Sequence, residues 1–469
     1  MRSIGYADRI AKWCSVAKTP RTSRGVAFEL LRAVEANDAY ANLELPKLLD
    51  EAKLDARDSA LAQELAFGTI RNQYFYDRLI EKCANRKSSA IDRKSLLLAR
   101  LGVHQLLRMR VPAHAAINET VSLAKTVIDH GAGGFINGIL RRVSEKTLDE
   151  WLQLLEQDSK DPIDALALTY SHPVWIIRAL QQALKLDGRE SELENLLTAD
   201  NQPPLVNLAL MPGKRADTDE FVAGQASPIG YIMREGDPGK LPQVRDGMMR
   251  VQDQGSQLSA LLLSRAKPVS AGELWLDLCA GPGGKAAVLA AEAKVGGAHF
   301  FANEIAPHRA KLVTQALSKI DAQVEVSCSD GRTFGADFSG KFDRIMLDAP
   351  CTGLGALRRR PEARWRKQPA DVPELSKLQQ ELLESAWQAL KPGGLLAYVT
   401  CSPHSAETVS IVDWLMRKFG SEVELLDAGA VLREMNPGLK LNCKRKTVQL
   451  WPQVHDTDAM FMALLTKKA

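Results

Sequence analysis

Residues 273–285, with the sequence ELWLDLCAGPGGK, decide the fold of this chain. A short apolar run at 274–278 leads into the glycine-rich turn at 281–284, and helix-forming residues follow from Lys285. The pattern predicts a strand, a tight turn and a helix start. Glycine lets a ligand lie against the backbone, and the helix start offers unpaired N–H groups. A nucleotide-like cofactor is therefore expected, although such turns also join strands to helices with nothing bound.

The turn lacks two common nucleotide signatures. It has neither the Lys-Ser/Thr end of a phosphate loop nor the GxGxxG pattern of dinucleotide sites. ATP and NAD are therefore disfavoured.

Strand and helix patterns alternate after this stretch. We predict strands at 274–278, 299–304, 323–327, 342–348 and 394–400. We predict helices at 285–293, 307–318 and 372–390. Such alternation builds a parallel sheet covered on both faces, with ligands at the carboxyl ends of its strands.

Four of these strand ends carry chemically capable side chains. Glu304 stands 23 residues after Gly281, close to the spacing at which an acid reaches ribose hydroxyls. Asp330 follows the third strand in an Asp-Gly turn. Such a turn is also common where the aspartate has no role beyond the turn itself. Cys351 and Cys401 follow the fourth and fifth strands, so their thiols are expected to face one pocket. Each cysteine is either a buried small residue or a nucleophile.

The length and composition of the chain limit its domain count, its location and its partners. The 469 residues suit two or three domains, and no run is long and apolar enough for a membrane span. The basic N-terminus lacks a secretion-signal core, so we expect a cytoplasmic protein. Seven cysteines without a CxxC pair favour neither disulfides nor a metal site. Residues 1–150 hold 24 Lys and Arg against 18 Asp and Glu, a modest excess that suits nucleic acid but is also common on inert surfaces.

The first third of the chain is helical in pattern. From residue 22 to about 145, apolar residues recur at three- and four-residue spacing, which predicts a helical bundle. Basic side chains of the bundle either line an RNA surface or form its solvated face; they are Arg71, Arg108, Arg110, Arg141 and Arg142. The Ser171-His172-Pro173 stretch predicts a helix start, and we expect His172 to be structural.

Several stretches resemble one family. RTSRGVAFELLRAV, LAFGTIRNQ, VPAHAAINETVSLAK and FINGILRR in the bundle resemble a NusB-like RNA-binding domain. DLCAGPGGK, DAPCTGLGALRRRPEARWR and YVTCS resemble the signature of RNA cytosine-C5 methyltransferases. Together they are similar to the bacterial Sun/RsmB family of 16S ribosomal RNA cytosine-C5 methyltransferases, over nearly the whole chain.

The resemblance implies a fold and a division into domains. The expected class is α/β, a Rossmann-like S-adenosylmethionine-dependent sheet preceded by an all-α NusB-like domain. The implied segments are a flexible lead-in at 1–20, the NusB-like domain at 21–146, a helical linker with a small α/β insert at 147–268, and the catalytic domain at 269–469. We expect a monomer that binds small-subunit ribosomal RNA and no membrane.

The resemblance also implies the site residues. Cys401 is expected to attack C6 of the cytosine, Cys351 to assist removal of the C5 proton, and Asp348 to hold the N3/N4 edge of the base. The residues expected to hold S-adenosylmethionine are Cys279, Ala280, Gly281, Pro282, Gly283, Gly284, Lys285, Glu304, Asp330 and Asp348. No metal is expected.

Four further features bear on these expectations. DNA cytosine-C5 methyltransferases carry their nucleophile in a Pro-Cys pair, and Pro350-Cys351 is such a pair; the Thr-Cys-Ser motif favours Cys401. Thr408 stands after Glu407 where the family usually has Asn, and Glu304 stands where Asp is more usual. A basic run follows Cys351 and is expected to contact RNA phosphates; it comprises Arg358, Arg359, Arg360, Arg364, Arg366 and Lys367.

Other function classes stay open at this point. A methyltransferase acting on another RNA such as tRNA would share the catalytic motifs. A non-catalytic RNA-binding protein with a relic catalytic domain would need neither thiol. A DNA methyltransferase would lack the NusB-like segment, and a dehydrogenase would need the missing glycine fingerprint.

Overall fold

The computed structural model describes residues 19–37, 39–320 and 324–468. Nearly all of the expected lead-in, 1–20, lies outside the described residues. The chain divides into two compact units. The first holds the described residues up to Ile177 together with Arg359–Trp365, and the second holds Arg178–Arg358 and the described chain from Arg366 onward.

The first unit is helical, as the three- and four-residue spacing predicts. Its core is apolar and includes Phe28, Leu65, Phe75 and Leu98, all fully buried. Side-chain caps begin several helices; for example, Asp55 accepts the N–H of Asp58. The helices are Ser23–Asn37, Ala41–Ala52, Ala56–Arg71, Gln73–Ala84, Arg93–Arg108, Ala113–Val127, His130–Val143, Leu148–Glu156 and Pro162–Tyr170.

Residues Arg359–Trp365 belong to this helical unit although they follow the catalytic motif in sequence. The Arg364 side chain is completely buried and donates hydrogen bonds to the carbonyls of Arg71 and Ser171. The indole of Trp365 donates to the carbonyl of Ile70 at 2.8 Å. The carboxylate of Glu362 accepts the N–H of Ala41 at 3.3 Å.

This packing corrects the expected RNA role of two members of the basic run, Arg358 and Arg364, while RNA contact by the other four members stays a prediction. Arg364 is enclosed in the helical unit, and the buried guanidinium of Arg358 pairs with Asp456 at 2.6 Å in the second unit. Among the bundle arginines, Arg71 is also buried, whereas Arg108, Arg110 and Arg141 are exposed. Sequence spacing cannot separate these cases, since a charge run shows no partner until the chain is folded.

Arg364→Ala should destabilise the helical unit by about 2–4 kcal/mol, because two buried carbonyls lose their donor. The measurement is urea denaturation of the full chain followed by far-ultraviolet circular dichroism. The matched control is Arg57→Ala on an exposed helical surface of the same unit, which should shift stability by less than about 0.5 kcal/mol. Equal effects from both substitutions would contradict the structural role of Arg364.

A small antiparallel sheet opens the second unit. Its strands are β1 (Val206–Leu210), β2 (Val222–Ala223), β3 (Gly230–Met233) and β4 (Met249–Val251), in the order β2-β3-β1-β4. β1 and β4 form within the short runs PLVNLAL, residues 204–210, and GMMRVQDQ, residues 247–254, in the segment expected to be a small α/β insert. The helices of this region are Val174–Leu186, Leu193–Asn201, Pro242–Arg245 and Gln254–Arg265. The first of them begins directly after Pro173, as the sequence predicts.

The main sheet has the order β10-β12-β9-β8-β5-β6-β7, with β11 paired to β12. Its strands are β5 (Leu274–Asp277), β6 (His299–Asn303), β7 (Val324–Ser327), β8 (Phe342–Asp348), β9 (Leu390–Thr400), β10 (Val423–Leu426), β11 (Val448–Gln449) and β12 (Phe461–Lys467). The helices are Gly284–Gly296, Pro307–Leu317, Phe334–Asp337, Asp371–Ala389, Val409–Phe419, Ala428–Met435 and Pro452–His455, and the short helix Ala363–Arg366 belongs mostly to the helical unit.

The predicted parallel sheet is confirmed. β7, β6, β5, β8 and β9 pair in parallel, and apolar clusters cover both faces of the sheet. β12 lies between β9 and β10, because its uninterrupted apolar run, Phe461 to Leu465, is buried on both faces.

Among the described residues, no helix combines the length and the apolar character needed to cross a bilayer.

Candidate active site

The glycine turn after β5 is built for close contact. Gly283 has φ of 99°, a left-handed conformation that favours glycine. A Cβ on Gly281 would lie 2.1 Å from an oxygen of Glu304, so no other residue fits there without displacing that carboxylate. The helix Gly284–Gly296 starts immediately behind the turn and directs its first N–H groups toward it.

Glu304 is buried at the end of β6 and faces the same turn. Its carboxylate accepts the N–H of Gly281 at 3.1 Å and that of Ala306 at 3.0 Å. Arg309 lies 3.4 Å from it and also donates to the carbonyl of Gly281 at 2.6 Å. A carboxylate has about four acceptor positions, so capacity remains for a ligand with paired hydroxyls.

Asn303, at the end of β6, bonds to the turn after β5 and to the loop after β7. Sequence reasoning missed this role. Its amide donates to the carbonyls of Leu278 and Ser329, and its oxygen accepts the N–H of Ser329 at 3.1 Å. The turn after β5 and the loop after β7 are thereby fixed to β6. The only available signal was a buried amide at the end of a strand.

Asp330 lies on the loop after β7, as expected. Its carboxylate pairs with Arg332 at 2.6 Å, and the hydrogen bond from that guanidinium lowers the pKa of Asp330. A ligand amino group at Asp330 would therefore share the carboxylate with Arg332.

Cys351 and Cys401 meet at the ends of β8 and β9. Their sulfur atoms are 3.5 Å apart, and both side chains are half-buried. The prediction that the two cysteines face one pocket follows from the parallel pairing of β8 and β9, and the structure confirms that proximity.

The two thiols share one hydrogen bond, which makes them unequal. The pKa of Cys351 is raised well above its ordinary value by this bond to Cys401, by burial, and by the negative charges of Cys401, Glu407 and Asp348. The raised pKa favours the protonated form of Cys351, and either sulfur atom can donate the hydrogen bond between them. A thiolate is the nucleophilic form of cysteine.

A half-buried ion pair lies beside the thiols. The ammonium of Lys285 is 2.9 Å from the carboxylate of Asp348. Burial opposes the charge of Lys285, but Asp348, followed by Cys401 and Asp277, outweighs it and raises the pKa of Lys285. Lys285 is thus a fixed positive charge next to Asp348 and close to Cys401.

Asp277 closes β5 and is fully buried, which sequence analysis did not anticipate. Neither of its carboxylate oxygens has a hydrogen-bond partner of ordinary geometry among the described residues. Burial and the charge of Asp348 raise its pKa to about 8, against the opposing effects of Lys285 and the Cys279 N–H. Asp277 is therefore mostly protonated near neutral pH.

Thr408 occupies the position where the resembled family usually has Asn. Its hydroxyl donates to the carbonyl of His404 at 3.0 Å and closes the short turn Ser405–Glu407. The departure is accommodated within that turn. His172 is buried in the helical unit and bonds to the carbonyl of Tyr170, which fits the structural role expected for it.

Comparison with known proteins agrees with this geometry. The family model described as 16S rRNA methyltransferase RsmB/F matches residues 266–466, and the NusB family model matches residues 21–145. Ribosomal RNA small subunit methyltransferase B of Pseudomonas putida is 35% identical over 427 residues, covering 88% of this chain and 93% of that protein. This chain belongs to the RsmB/F family of methyltransferases.

Two further similarities extend over most of the chain. Rv1407 of Mycobacterium tuberculosis, named as a candidate methyltransferase, is 46% identical over 451 residues, which is 95% of this methyltransferase and 96% of that protein. The crystal structure of PH0851 superposes with a TM-score of 0.79 at 22% identity, covering 96% of this chain and 99% of that one. The latter shows the shared fold.

Membership of the family confirms two expectations, the fold class and the cofactor. The predicted fold class, a Rossmann-like methyltransferase sheet after a NusB-like helical domain, is confirmed. The predicted cofactor, S-adenosylmethionine, is confirmed at the level of the family. The turn at Gly281, the helix start behind it and the carboxylate of Glu304 fit a cofactor that carries a ribose and a charged amino acid end.

Gly281→Ala should weaken S-adenosylmethionine binding by about tenfold or more, because the added methyl displaces Glu304. Isothermal titration calorimetry of the purified chain measures this. The control is Gly138→Ala in the helical unit, where a Cβ meets no atom within 4 Å. Wild-type affinity in Gly281→Ala would show that the turn does not approach the cofactor.

Asp277→Asn should change how stability depends on pH. The folded-state pKa of Asp277 lies above its unfolded value, so folding takes up a proton there and stability falls as pH rises between about 4 and 8. The Asn variant lacks this loss, so its stability relative to wild type should rise by about 1.4 kcal/mol per pH unit in that window. Urea denaturation of the cofactor-free proteins at several pH values tests this, and parallel curves would show that Asp277 is ionised when folded.

Proposed function

We propose that this methyltransferase transfers a methyl group from S-adenosylmethionine to C5 of one cytosine in small-subunit ribosomal RNA, through a covalent adduct of Cys401 with C6. The observation that carries the proposal is the pair of sulfur atoms 3.5 Å apart, beside the Lys285 and Asp348 ion pair and at the same sheet edge as the glycine turn. The NusB-like unit and the naming of the Pseudomonas relative support RNA as the substrate class.

The first step belongs to Cys401. C5 of cytosine is a weak nucleophile, so the thiolate of Cys401 adds to C6 and forms the S–C6 bond, which pushes electron density toward C5. Lys285 stabilises the thiolate before attack. Asp348 is proposed to hold the N3/N4 edge of the base and to stabilise the charge that develops there.

The cofactor supplies an electrophilic methyl group on a positively charged sulfur. The residues proposed to hold it are Cys279, Ala280, Gly281, Pro282, Gly283, Gly284, Lys285, Glu304, Asp330 and Asp348. Ile305, which follows Glu304 and is 61% exposed, offers an additional apolar surface for a flat ring.

Cys351 is proposed to complete the reaction. While Cys401 is a thiolate, it holds the proton on Cys351 through their shared hydrogen bond. Formation of the S–C6 bond consumes that negative charge and lowers the pKa of Cys351, which releases its proton to solvent water and becomes a thiolate base. It then accepts the proton from C5, the S–C6 bond breaks, and Cys401 leaves as a thiolate. We propose that the reaction takes place in the cytoplasm, because ribosomal RNA is its proposed substrate.

Two substitutions test these roles. With labelled S-adenosylmethionine and deproteinised small-subunit ribosomal RNA, wild type should label one cytosine, located by bisulfite sequencing. Cys401→Ala should transfer no label, because no thiolate reaches C6. Cys351→Ala should accumulate a protein–RNA adduct that survives denaturing electrophoresis, because the C5 proton stays on.

Other outcomes point to specific alternatives. An active Cys401→Ala together with an inactive, adduct-free Cys351→Ala would reverse the two roles. Labelling of transfer RNA but not ribosomal RNA would move the substrate to another RNA. No labelling of any RNA by wild type would indicate a relic catalytic domain.

A further inference from the structure

Glu407 lies buried between the two loops that carry the thiols. It is fully enclosed, and none of the described Lys, Arg or His side chains forms an ion pair with it. A buried carboxylate without a cation needs several donors to offset its lost hydration.

Its donors come from both cysteine loops. The residue after Cys351, Thr352, donates its backbone N–H at 2.7 Å and its hydroxyl at 2.5 Å. The residue after Cys401, Ser402, donates its hydroxyl at 2.6 Å. One carboxylate therefore joins the chain segments that follow the two thiols.

A third element completes the arrangement. The amide of Gln379 donates to Glu407 at 3.3 Å and to the carbonyl of Pro350, directly before Cys351, at 2.8 Å. The hydroxyl of Tyr398 donates to the backbone carbonyl of Glu407 at 2.7 Å. These contacts fix the carboxylate from the helix Asp371–Ala389 and from β9, so its position is set by regular secondary structure as well as by the two cysteine loops.

We propose that Glu407 is a positioning residue that holds Cys351 and Cys401 in contact and, through its negative charge, keeps the proton of the thiol pair on Cys351. The proposal deepens the two-thiol reaction described above and rests on it. Glu407 bonds to both cysteine loops and adds to the raised pKa of Cys351, while Lys285 is held in its ion pair with Asp348.

Two variants separate geometry from charge. Glu407→Gln keeps the size of the side chain but removes its charge and one acceptor. Glu407→Asp keeps the charge, but its shorter side chain cannot reach both loops. The matched control is Glu424→Gln on β10, where the side chain is exposed and lies in the same unit.

The first readout needs no RNA. Iodoacetamide alkylation of each cysteine is followed by mass spectrometry across a pH series. In wild type and Glu424→Gln, Cys401 should react first. In Glu407→Gln, the reactivity of Cys351 relative to Cys401 should rise by about tenfold, which corresponds to one pKa unit. Glu407→Asp should keep the wild-type order.

The second readout is the protein–RNA adduct. Both Glu407 variants should accumulate adduct with ribosomal RNA, because a displaced Cys351 removes the C5 proton slowly. A merely structural role would lower the folded fraction and leave the alkylation order, the pH profile and the adduct fraction unchanged, and this result would overturn the proposal.

The two readouts distinguish the possible failures. If wild type and the Cys351→Ala variant form neither product nor adduct, the proposed reaction fails, and the alkylation order alone then decides whether Glu407 governs the thiols. If wild type methylates RNA and Glu407→Gln retains both the alkylation order and normal adduct turnover, the inference about Glu407 is wrong while the proposed function stands.

Discussion

The contact between two sulfur atoms depends on the parallel pairing of β8 and β9, and the rest of the candidate site is arranged around it. Parallel neighbours end at the same edge of a sheet, so residues that lie 50 positions apart in sequence become adjacent there. Bringing two thiols together is easy, but making them chemically different requires an uneven environment. The fold surrounds the thiols with Lys285, which pairs with Asp348, and with the buried carboxylate of Glu407, which bonds to both cysteine loops. Identical side chains can thereby take a nucleophile's role and a proton-handling role in one pocket.

The same sheet edge concentrates carboxyl groups, three of them buried and that of Asp348 half-buried. Asp277, Asp348, Glu304 and Glu407 all lie there, with Lys285 as the cation paired to Asp348. The four carboxyl groups offset the free-energy cost of burial in different ways. Glu304 and Glu407 accept hydrogen bonds from several N–H or O–H donors. Asp348 pairs with Lys285, and Asp277 retains a proton. A site of this kind gains from a positively charged ligand, because such a ligand relieves repulsion that folding alone leaves in place. The sulfonium cofactor of the family has that charge.

Local sequence determined much of the architecture. The strands and helices around residues 273–400 follow from apolar runs broken by glycine, and the meeting of Cys351 and Cys401 follows from the topology that these elements imply. What local patterns could not supply were contacts made by side chains whose partners are remote. Arg344 in the middle of β8 is fully buried and satisfied by the carbonyls of Leu263 and Ser264, although a charged residue in a strand usually indicates solvent. Likewise, Asn303 and Asp277 show their environment only once neighbouring strands are in place.

The assignment of residues Arg359–Trp365 to the helical unit has a consequence for how this family can diversify. Proteins built from consecutive domains can exchange whole segments by recombination at the linker, because each segment carries its own interior. Here the interior of the helical unit includes Trp365 and Arg364, encoded far downstream of its other residues. A hybrid gene joined at the linker would take the helices of the bundle from one parent and residues Arg359–Trp365 from the other. The indole and guanidinium of that seven-residue insert would then be mismatched to the interior of the bundle. The two halves are therefore expected to be inherited together, and successful chimeras should carry the insert of the bundle's own parent.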